Sequence, residues 1–264
     1  MPLYFLPPIS RVVSLKKFSL EFFPCRYNKN EPVWQKICRD VTGISRQTHA
    51  GRVKGDPPGY PEARLARYLV EAEDAWMAIA SEGDEAVGFG AVKRVSTSAA
   101  SALYIILSLV VPKYQGQGIS TFILASLVYD YLLRHDLDET FLIVESPNPA
   151  VVGKMTSILI DVYPNPRQRS QEPKADVFGL AMAFANDHYQ GHVFDNTVFV
   201  VRDWYLDSPQ LLYKAAGAPL YGDKVINAFC AENLRYAEER GDKLLMVGRA
   251  NKKLAKNILG LFSQ

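Results

Sequence analysis

Two continuous apolar runs, separated by a glycine loop and an amphipathic segment, constrain the fold of this chain more than any other feature. The first run, Leu103–Val111, is apolar except at Ser108 and stops at Pro112, and the second is Phe141–Val144. Between them, apolar residues recur at helical spacing over Ile119–Tyr131. Continuous apolar runs are typical of strands covered on both faces, and a helix that connects two such strands places them parallel. The sequence therefore predicts a βαβ unit.

The flanking segments extend this unit into a mixed sheet. Trp76–Ala80 and Ala86–Val95 enclose a short Gly/Asp loop, which predicts a hairpin. Helical spacing favours helices over Glu31–Val41, Pro61–Asp74 and Pro149–Leu159. We expect an α/β (α+β) fold, in which helices flank a mixed β-sheet.

The pattern is weaker after Pro164. The predicted elements there are a helix over Asp176–Gln190, a strand over Thr197–Leu206, a helix over Lys224–Arg240, a strand over Leu244–Val247 and a helix over Asn251–Phe262. We expect residues 1–165 to form the main domain. Residues 166–264 would form an extension that acts as a lid, a second half-sheet or a dimerisation region.

Composition narrows the class of protein. A formal net charge of +2 gives no strong field for nucleic acid. The three cysteines are odd in number and widely spaced, so we expect neither a disulfide framework nor a metal site. No run reaches the ~18–20 apolar residues of a membrane span. We therefore expect a cytoplasmic protein, either a monomer or a homodimer.

The segment Gln115–Thr121 has the properties of a phosphate-binding loop. It places Gly116 and Gly118 between the proline that ends a buried strand and the start of a helix. The first turn of a helix offers unpaired N–H groups and the positive end of the dipole, and glycine lets an anion approach the backbone. Ser120 and Thr121 add hydroxyl donors.

The glycine spacing does not fit the common nucleotide motifs. A P-loop needs a Gly-Lys-Ser/Thr ending, which is absent here. A dinucleotide fingerprint needs a third glycine or alanine where Thr121 stands. A nucleotide-dependent enzyme of another class stays open as an alternative.

The loop resembles the acyl-CoA-binding motif of the GNAT acyltransferases, Gln/Arg-x-x-Gly-x-Gly/Ala. Gln115–Ser120 matches it, with serine as a departure at the last place. The upstream Val-x-Pro-x-Tyr, from Val110 to Tyr114, is also typical of the family, as are Val87–Gly90 and an asparagine after the next strand, Asn148. The resemblance covers about half of the chain.

This resemblance implies a division of roles. Backbone groups of Ser108, Leu109 and Val110 would pair with the pantetheine arm of coenzyme A. The pyrophosphate would be held by the main-chain amides of Gly116, Gln117, Gly118, Ile119, Ser120 and Thr121. Gln115, in the same loop, and Asn148, after the next strand, are further expected cofactor-binding residues. The implied activity is transfer of an acyl group, acetyl or longer, to a primary amine of a small molecule or peptide by direct attack on the thioester.

The catalytic residues are less well defined by the resemblance. Many relatives carry a tyrosine as general acid where this chain has Met155. Tyr163 or water would then protonate the thiolate, and Glu145, at the end of the second apolar strand, is the candidate general base. His188 and His192 are further candidates. The departure at Met155 also favours an alternative, an inactive domain that binds acyl-CoA as a sensor or scaffold.

Overall fold

The computed structural model describes residues 13–15, 17–24, 32–49, 74–204, 221–236 and 241–262. Its strands are β1 (Val13–Leu15), β2 (Phe18–Pro24), β3 (Ala75–Glu82), β4 (Glu85–Ser96), β5 (Ser101–Val110), β6 (Glu139–Ser146), β7 (Ile160–Tyr163), β8 (Phe194–Asp195), β9 (Val200–Val201) and β10 (Lys243–Asn251). Its helices are α1 (Pro32–His49), α2 (Ile119–Arg134), α3 (Pro149–Ile158), α4 (Ala175–His188), α5 (Lys224–Asn233) and α6 (Lys252–Phe262).

The strands form one mixed sheet. Their order is β1-β2-β3-β4-β5-β6-β10-β9-β8, and β7 also pairs with β10. Within the described residues, β5 and β6 are the one parallel pair, and α2 is the crossover between them. The predicted hairpin, the βαβ unit and the mixed α/β fold are confirmed.

Two glycines on β4 let α2 lie close to the sheet. A Cβ atom placed on Gly90 would lie 2.7 Å from Ile123 Cγ2, and one on Gly88 would lie 3.2 Å from Val110 Cγ2. Both distances are shorter than ordinary van der Waals contact. The glycines that resemble the family pattern at Val87–Gly90 therefore have a packing role, because they bring the start of α2 up to the end of β5.

The two faces of the sheet carry separate apolar clusters. Leu103 and Ile105 of β5 belong to the larger cluster, which includes the buried side of α2. Ala102 belongs to the smaller cluster on the opposite face, which is covered by α4, and Tyr104 packs against it. Side chains alternate between faces along a strand, so the central strands are covered on both sides, as their continuous apolar runs predicted.

The C-terminal strand β10 lies in the middle of the sheet. Leu244–Asn251 pair antiparallel with Ser146–Glu139 of β6 along one edge. Along its other edge, β10 pairs with β7 and then with β9. The extension thus contributes strands to the sheet of the main domain. A role for it as a lid or in dimerisation stays a prediction.

Helix α1 is longer than predicted, because it continues past Val41 to His49. Val41, Ile44 and Thr48 are buried at helical spacing, which continues the apolar side of α1 to His49. Gly43 does not break the helix, and a Cβ at that position would meet no atom within 4 Å.

Two elements after Pro164 are shorter than predicted. Residues 197–204, the described part of the strand predicted over Thr197–Leu206, contain only the strand Val200–Val201, because Phe199 and Asp203 have positive φ angles of 53° and 57°. The helix predicted over Lys224–Arg240 ends at Asn233. Residues 61–73 of the helix predicted over Pro61–Asp74 lie outside the described residues, as do 205–206 and 237–240. No helix in the described part of the chain is both long and apolar enough to cross a membrane.

Candidate active site

The parallel strands β5 and β6 separate halfway along their length. Their pairing covers only Ala102–Ile105 with Phe141–Val144. At that point β5 contains a bulge, since Ala91 and Val92 of β4 pair with Leu107 and Ile105 and pass over Ile106. A bulge bends its strand and increases the local twist. The remainder of β5, up to Val110, pairs only with β4 in the described sheet, so one edge of its backbone is available to a ligand.

The glycine loop follows this open edge directly. A 3₁₀ turn over Pro112–Tyr114 ends where the Gln115 N–H donates to Pro112 O at 3.1 Å. The side-chain amide of Gln115 turns back and donates from Nε2 to Val110 O at 2.9 Å. Gly116 and Gly118 then both have φ angles of 80°, in the region that favours glycine. Gln115 therefore ties the loop to the end of β5.

The entrance to α2 is open. Gly118 is the N-cap residue and offers no side-chain acceptor, and the first helical bond runs from Phe122 N–H to Gly118 O at 3.0 Å. The amides of residues 119–121 precede that bond, so they lack partners within the helix. Gly116 and Gln117 are exposed, and a Cβ placed on Gly116 would meet no atom within 4 Å. This arrangement suits an anion such as pyrophosphate.

The serine that departs from the family motif has a structural role. Ser120 Oγ lies 3.0 Å from Ser108 Oγ on β5, within hydrogen-bond distance. The hydroxyl of Ser120 thus links the first turn of α2 to the open strand. Thr48, in the last turn of α1, places its hydroxyl 3.5 Å from Val110 O. Three elements therefore meet at the end of β5.

Asn148 positions the start of α3. Its Oδ1 accepts a hydrogen bond from Ala150 N–H at 2.9 Å, as expected of an asparagine N-cap. Its own N–H donates to Ser146 Oγ at 3.0 Å. Asn148 thereby couples α3 to the end of β6, on the side of the splay opposite to the glycine loop.

Glu145 lies at the splay, one residue beyond the last β6 residue that pairs with β5. Its side chain is 11% exposed. Oε2 accepts hydrogen bonds from Tyr104 Oη at 2.9 Å and from Lys243 Nζ at 2.6 Å, and Oε1 accepts one from Tyr189 Oη. The three donors contact both oxygens of the carboxylate and fix its orientation.

Lys243 is the buried cation of this cluster. Its side chain is 0% exposed, and Nζ lies 3.4 Å from the ring centroid of Trp204 and 4.9 Å from that of Tyr189. Burial lowers the pKa of Lys243 to about 8, against the opposing effect of Glu145. Burial also lowers the pKa of Lys93, whose Nζ lies 5.3 Å from the ring centroid of Tyr104.

His188 lies beside this cluster, and His192 lies at its edge. The His188 ring stacks on the Phe184 ring with 4.0 Å between their centroids. The pKa of His188 is lowered mainly by burial, and the charge of Lys93 lowers it further. The His192 ring lies 4.7 Å from Trp204. Sequence reasoning missed Lys243 and the two tyrosines. The one local signal was the hydroxyl of Tyr104, which lies with Ser108 in the otherwise apolar run Leu103–Val111.

The structure does not bring Tyr163 to the splay. Tyr163 pairs with Val247 on β10, which in turn pairs with Ile143 on β6, so Tyr163 lies on the third strand from β5. At a spacing of ~4.8 Å between strands this is roughly 14 Å. The phenol Oη donates to Thr197 O at 2.5 Å, and burial raises the pKa of Tyr163. The open edge of β5, the glycine loop and Glu145 do converge at one end of the sheet.

One family model matches part of the chain. Residues 43–153 match the model of the acetyltransferase (GNAT) family. The matched segment includes the glycine loop, both splayed strands, Glu145 and Asn148. The match covers 111 of the 264 residues, and over this part the chain is similar to a GNAT acetyltransferase domain.

Several solved structures are similar to the chain at low sequence identity. The ribosomal-protein-S18-alanine N-acetyltransferase from Escherichia coli is 13% identical, with 89% of this chain and 94% of that chain covered and a TM-score of 0.40. A Desulfovibrio desulfuricans protein described as a GNAT-family acetyltransferase is 12% identical, with 89% and 99% covered and a TM-score of 0.41. A glucosamine N-acetyltransferase region of a fungal multi-domain β-N-acetylglucosaminidase is 17% identical, with a TM-score of 0.37. That alignment covers 52% of this chain and only 14% of the fungal chain. No curated protein sequence matches the chain.

Proposed function

We propose that this protein transfers an acyl group from acetyl-CoA or another acyl-CoA to a primary amine of a small molecule or peptide. The observation that carries the proposal is the open first turn of α2 beside the unpaired edge of β5. The family match of residues 43–153 supports the same reaction class. In this reaction, the bound cosubstrate supplies an activated thioester.

The main chain would provide most of the cosubstrate contacts. Backbone groups of Ser108, Leu109 and Val110 would pair with the pantetheine arm as a short added strand. The amides from Gly116 to Thr121 would hold the pyrophosphate. Gln115 and the Ser108–Ser120 contact fix the loop to β5. The distance between the β5 edge, which would bind pantetheine, and the loop amides, which would bind pyrophosphate, is therefore constant.

Glu145 would accept the proton that the amine loses. An alkyl amine has a pKa of ~10.4 in water, so it needs a base or desolvation to become a nucleophile. The ammonium of Lys243 holds the Glu145 carboxylate in a 2.6 Å ion pair. Burial lowers the pKa of Lys243 to about 8, so this ion pair is lost as the pH rises through 8. Lys243 would thus position the Glu145 carboxylate without contacting the substrate.

Two measurements test the proposal. Calorimetry with coenzyme A should show binding, and a thiol-release assay with acetyl-CoA and a panel of amines should show turnover. Glu145→Gln should keep coenzyme A affinity and lower kcat by roughly 10²–10⁴-fold. Glu139→Gln, at the far end of the same strand, is the control and should change neither. Stabilisation by ATP or NAD instead of coenzyme A would place the chain in a nucleotide-dependent class.

The pH–rate profile tests the role of Lys243. The wild-type kcat should change in a step near pH 8, where Lys243 loses its proton and the ion pair with Glu145 is lost, and Lys243→Met should lack that step. Identical profiles for the two proteins would rule out a role of the ion pair in positioning Glu145.

A catalytically inactive acyl-CoA sensor or scaffold is the second candidate function. It is favoured by the buried apolar side chain of Met155 at the place of the usual acid, and by the engagement of the Tyr163 hydroxyl with Thr197. This alternative predicts coenzyme A binding without turnover of any amine. Turnover that depends on Glu145 would exclude it.

A further inference from the structure

An apolar cavity of about 30 Å³ lies on the α2 face of the sheet. Its walls come from β5, α2, β6, α3, β10 and α6, and Thr121 is the one polar residue among them. A cavity of this kind gives water few hydrogen-bond partners, so it favours a hydrocarbon occupant. The cavity therefore suits an apolar and narrow ligand.

The position of the cavity connects it to the splayed strands. Ile105 in its wall is the last β5 residue that pairs with β6, and Thr121 belongs to the first turn of α2. Met155 contributes from α3, where relatives carry the polar tyrosine. The cavity thus starts at the apex of the splay and follows α2 past Ala125 towards Val128, beneath the paired halves of the strands.

We propose that this cavity receives the acyl chain of an acyl-CoA longer than acetyl, an inference that rests on the proposed function. A volume of about 30 Å³ exceeds the ~10–15 Å³ that one water needs by the same measure. It admits a few methylene groups and not a long fatty chain. The cosubstrate class is therefore a short-chain acyl-CoA, such as butyryl-CoA.

Helix α6 closes the far side of the cavity and would set the length of the chain. Leu254, Ala255 and Ile258 line that wall. The unbranched side chain of Met155 adapts its shape easily, so the cavity can enlarge at that side without a change in the backbone. In this view α6, which belongs to the extension, is the element that determines acyl specificity.

The test is calorimetric binding of coenzyme A and of acetyl-, butyryl- and hexanoyl-CoA to the full chain. Each methylene that enters the cavity should increase affinity roughly fourfold over acetyl-CoA. Ala125→Phe should fill the cavity and abolish this gain while leaving the affinities for coenzyme A and acetyl-CoA unchanged. Ala228→Phe, on the exposed side of α5, is the matched control and should keep the gain.

A second variant keeps the inference testable if Ala125→Phe does not fold. Ile258→Ala should open the α6 wall and increase the preference for hexanoyl-CoA over butyryl-CoA at least fourfold. Equal affinity of the wild type for all chain lengths, or unchanged selectivity in the variants that fold, would overturn the inference alone. Failure to bind coenzyme A in any form would overturn the proposed function as well.

Discussion

Gly116 adopts a backbone conformation that favours glycine, although its surroundings leave room for a side chain. Its φ angle of 80° favours glycine, yet a Cβ at this position would meet no atom within 4 Å. A side chain there would strain the backbone and reach only into the space at the start of α2. Gly83, in the turn between β3 and β4, has the same two properties, with a φ angle of 58°, but lies outside the glycine loop.

This pair provides the first prediction. Gly116→Ala and Gly83→Ala should each lower the free energy of unfolding by about 1–2 kcal/mol, because both force alanine into a left-handed conformation. Only Gly116→Ala should weaken coenzyme A binding, by at least tenfold in calorimetry. Equal binding by the two variants would show that the loop amides do not hold the pyrophosphate.

At the scale of elements, the contact between α2 and β4 depends on the missing side chain of Gly90. Gly90→Ala would place Cβ 2.7 Å from Ile123 Cγ2, which forces α2 away from the sheet. We expect a loss of about 1–3 kcal/mol in the free energy of unfolding, as for other overpacked cores. Denaturant titration measures it.

Two companion variants make this second prediction specific. Gly179→Ala, within α4, adds a methyl group where no atom lies within 4 Å, and it should stabilise the protein by about 0.5–1 kcal/mol. In the double variant with Ile123→Ala, the cost of Gly90→Ala should largely disappear. Additive losses in that cycle would contradict a clash with Ile123.

The elements also show what could be predicted from the sequence and what could not. The strand-to-helix turn at Gly116–Gly118 and the β3–β4 hairpin were predicted correctly because glycine, proline and apolar spacing act over a few residues. Glu145 receives hydrogen bonds from Tyr189 and Lys243, which lie 44 and 98 residues further along the chain. No local pattern encodes such contacts, and the position of β10 between β6 and β7 depends on pairing of the same long range.

At the scale of the whole molecule, Asp242 lies where the chain of the extension enters the sheet as β10. Its side chain is 0% exposed and accepts hydrogen bonds from Arg202 Nη1 at 3.0 Å, Arg235 Nη2 at 2.6 Å and Asp203 N–H at 3.0 Å. Burial alone would raise the pKa of Asp242, but these donors outweigh it and hold the pKa below its usual value. The residue precedes β10 directly, so the network fixes the entry of that strand.

The third prediction follows from this network. Asp242→Asn leaves two arginines without their buried carboxylate and should cost about 3–5 kcal/mol at pH 7. Because the folded-state pKa is depressed, the stabilisation is present above the unfolded value of 3.8 and is lost as pH falls through the folded-state pKa. The difference between wild type and variant should therefore shrink below pH 4.

The control for this prediction is an exposed ion pair elsewhere in the extension, between Arg169 and Glu232. Glu232→Gln removes the partner of Arg169, whose side chain is 44% exposed, and should change stability by at most ~1 kcal/mol. Denaturant titrations of the three proteins between pH 3 and pH 7 make the comparison. A constant difference across that range would argue against a titrating Asp242.

The place of β10 has a consequence for biosynthesis. β6 lies at the centre of the finished sheet, but one of its edges is completed only by residues 243–251. While the ribosome is still making the intervening segment, the nascent chain carries β6 with an open edge and with Leu142 and Val144, which become buried later. Such an edge can pair with other chains. Shielding by a chaperone until β10 emerges would therefore be expected to raise the yield of folded protein.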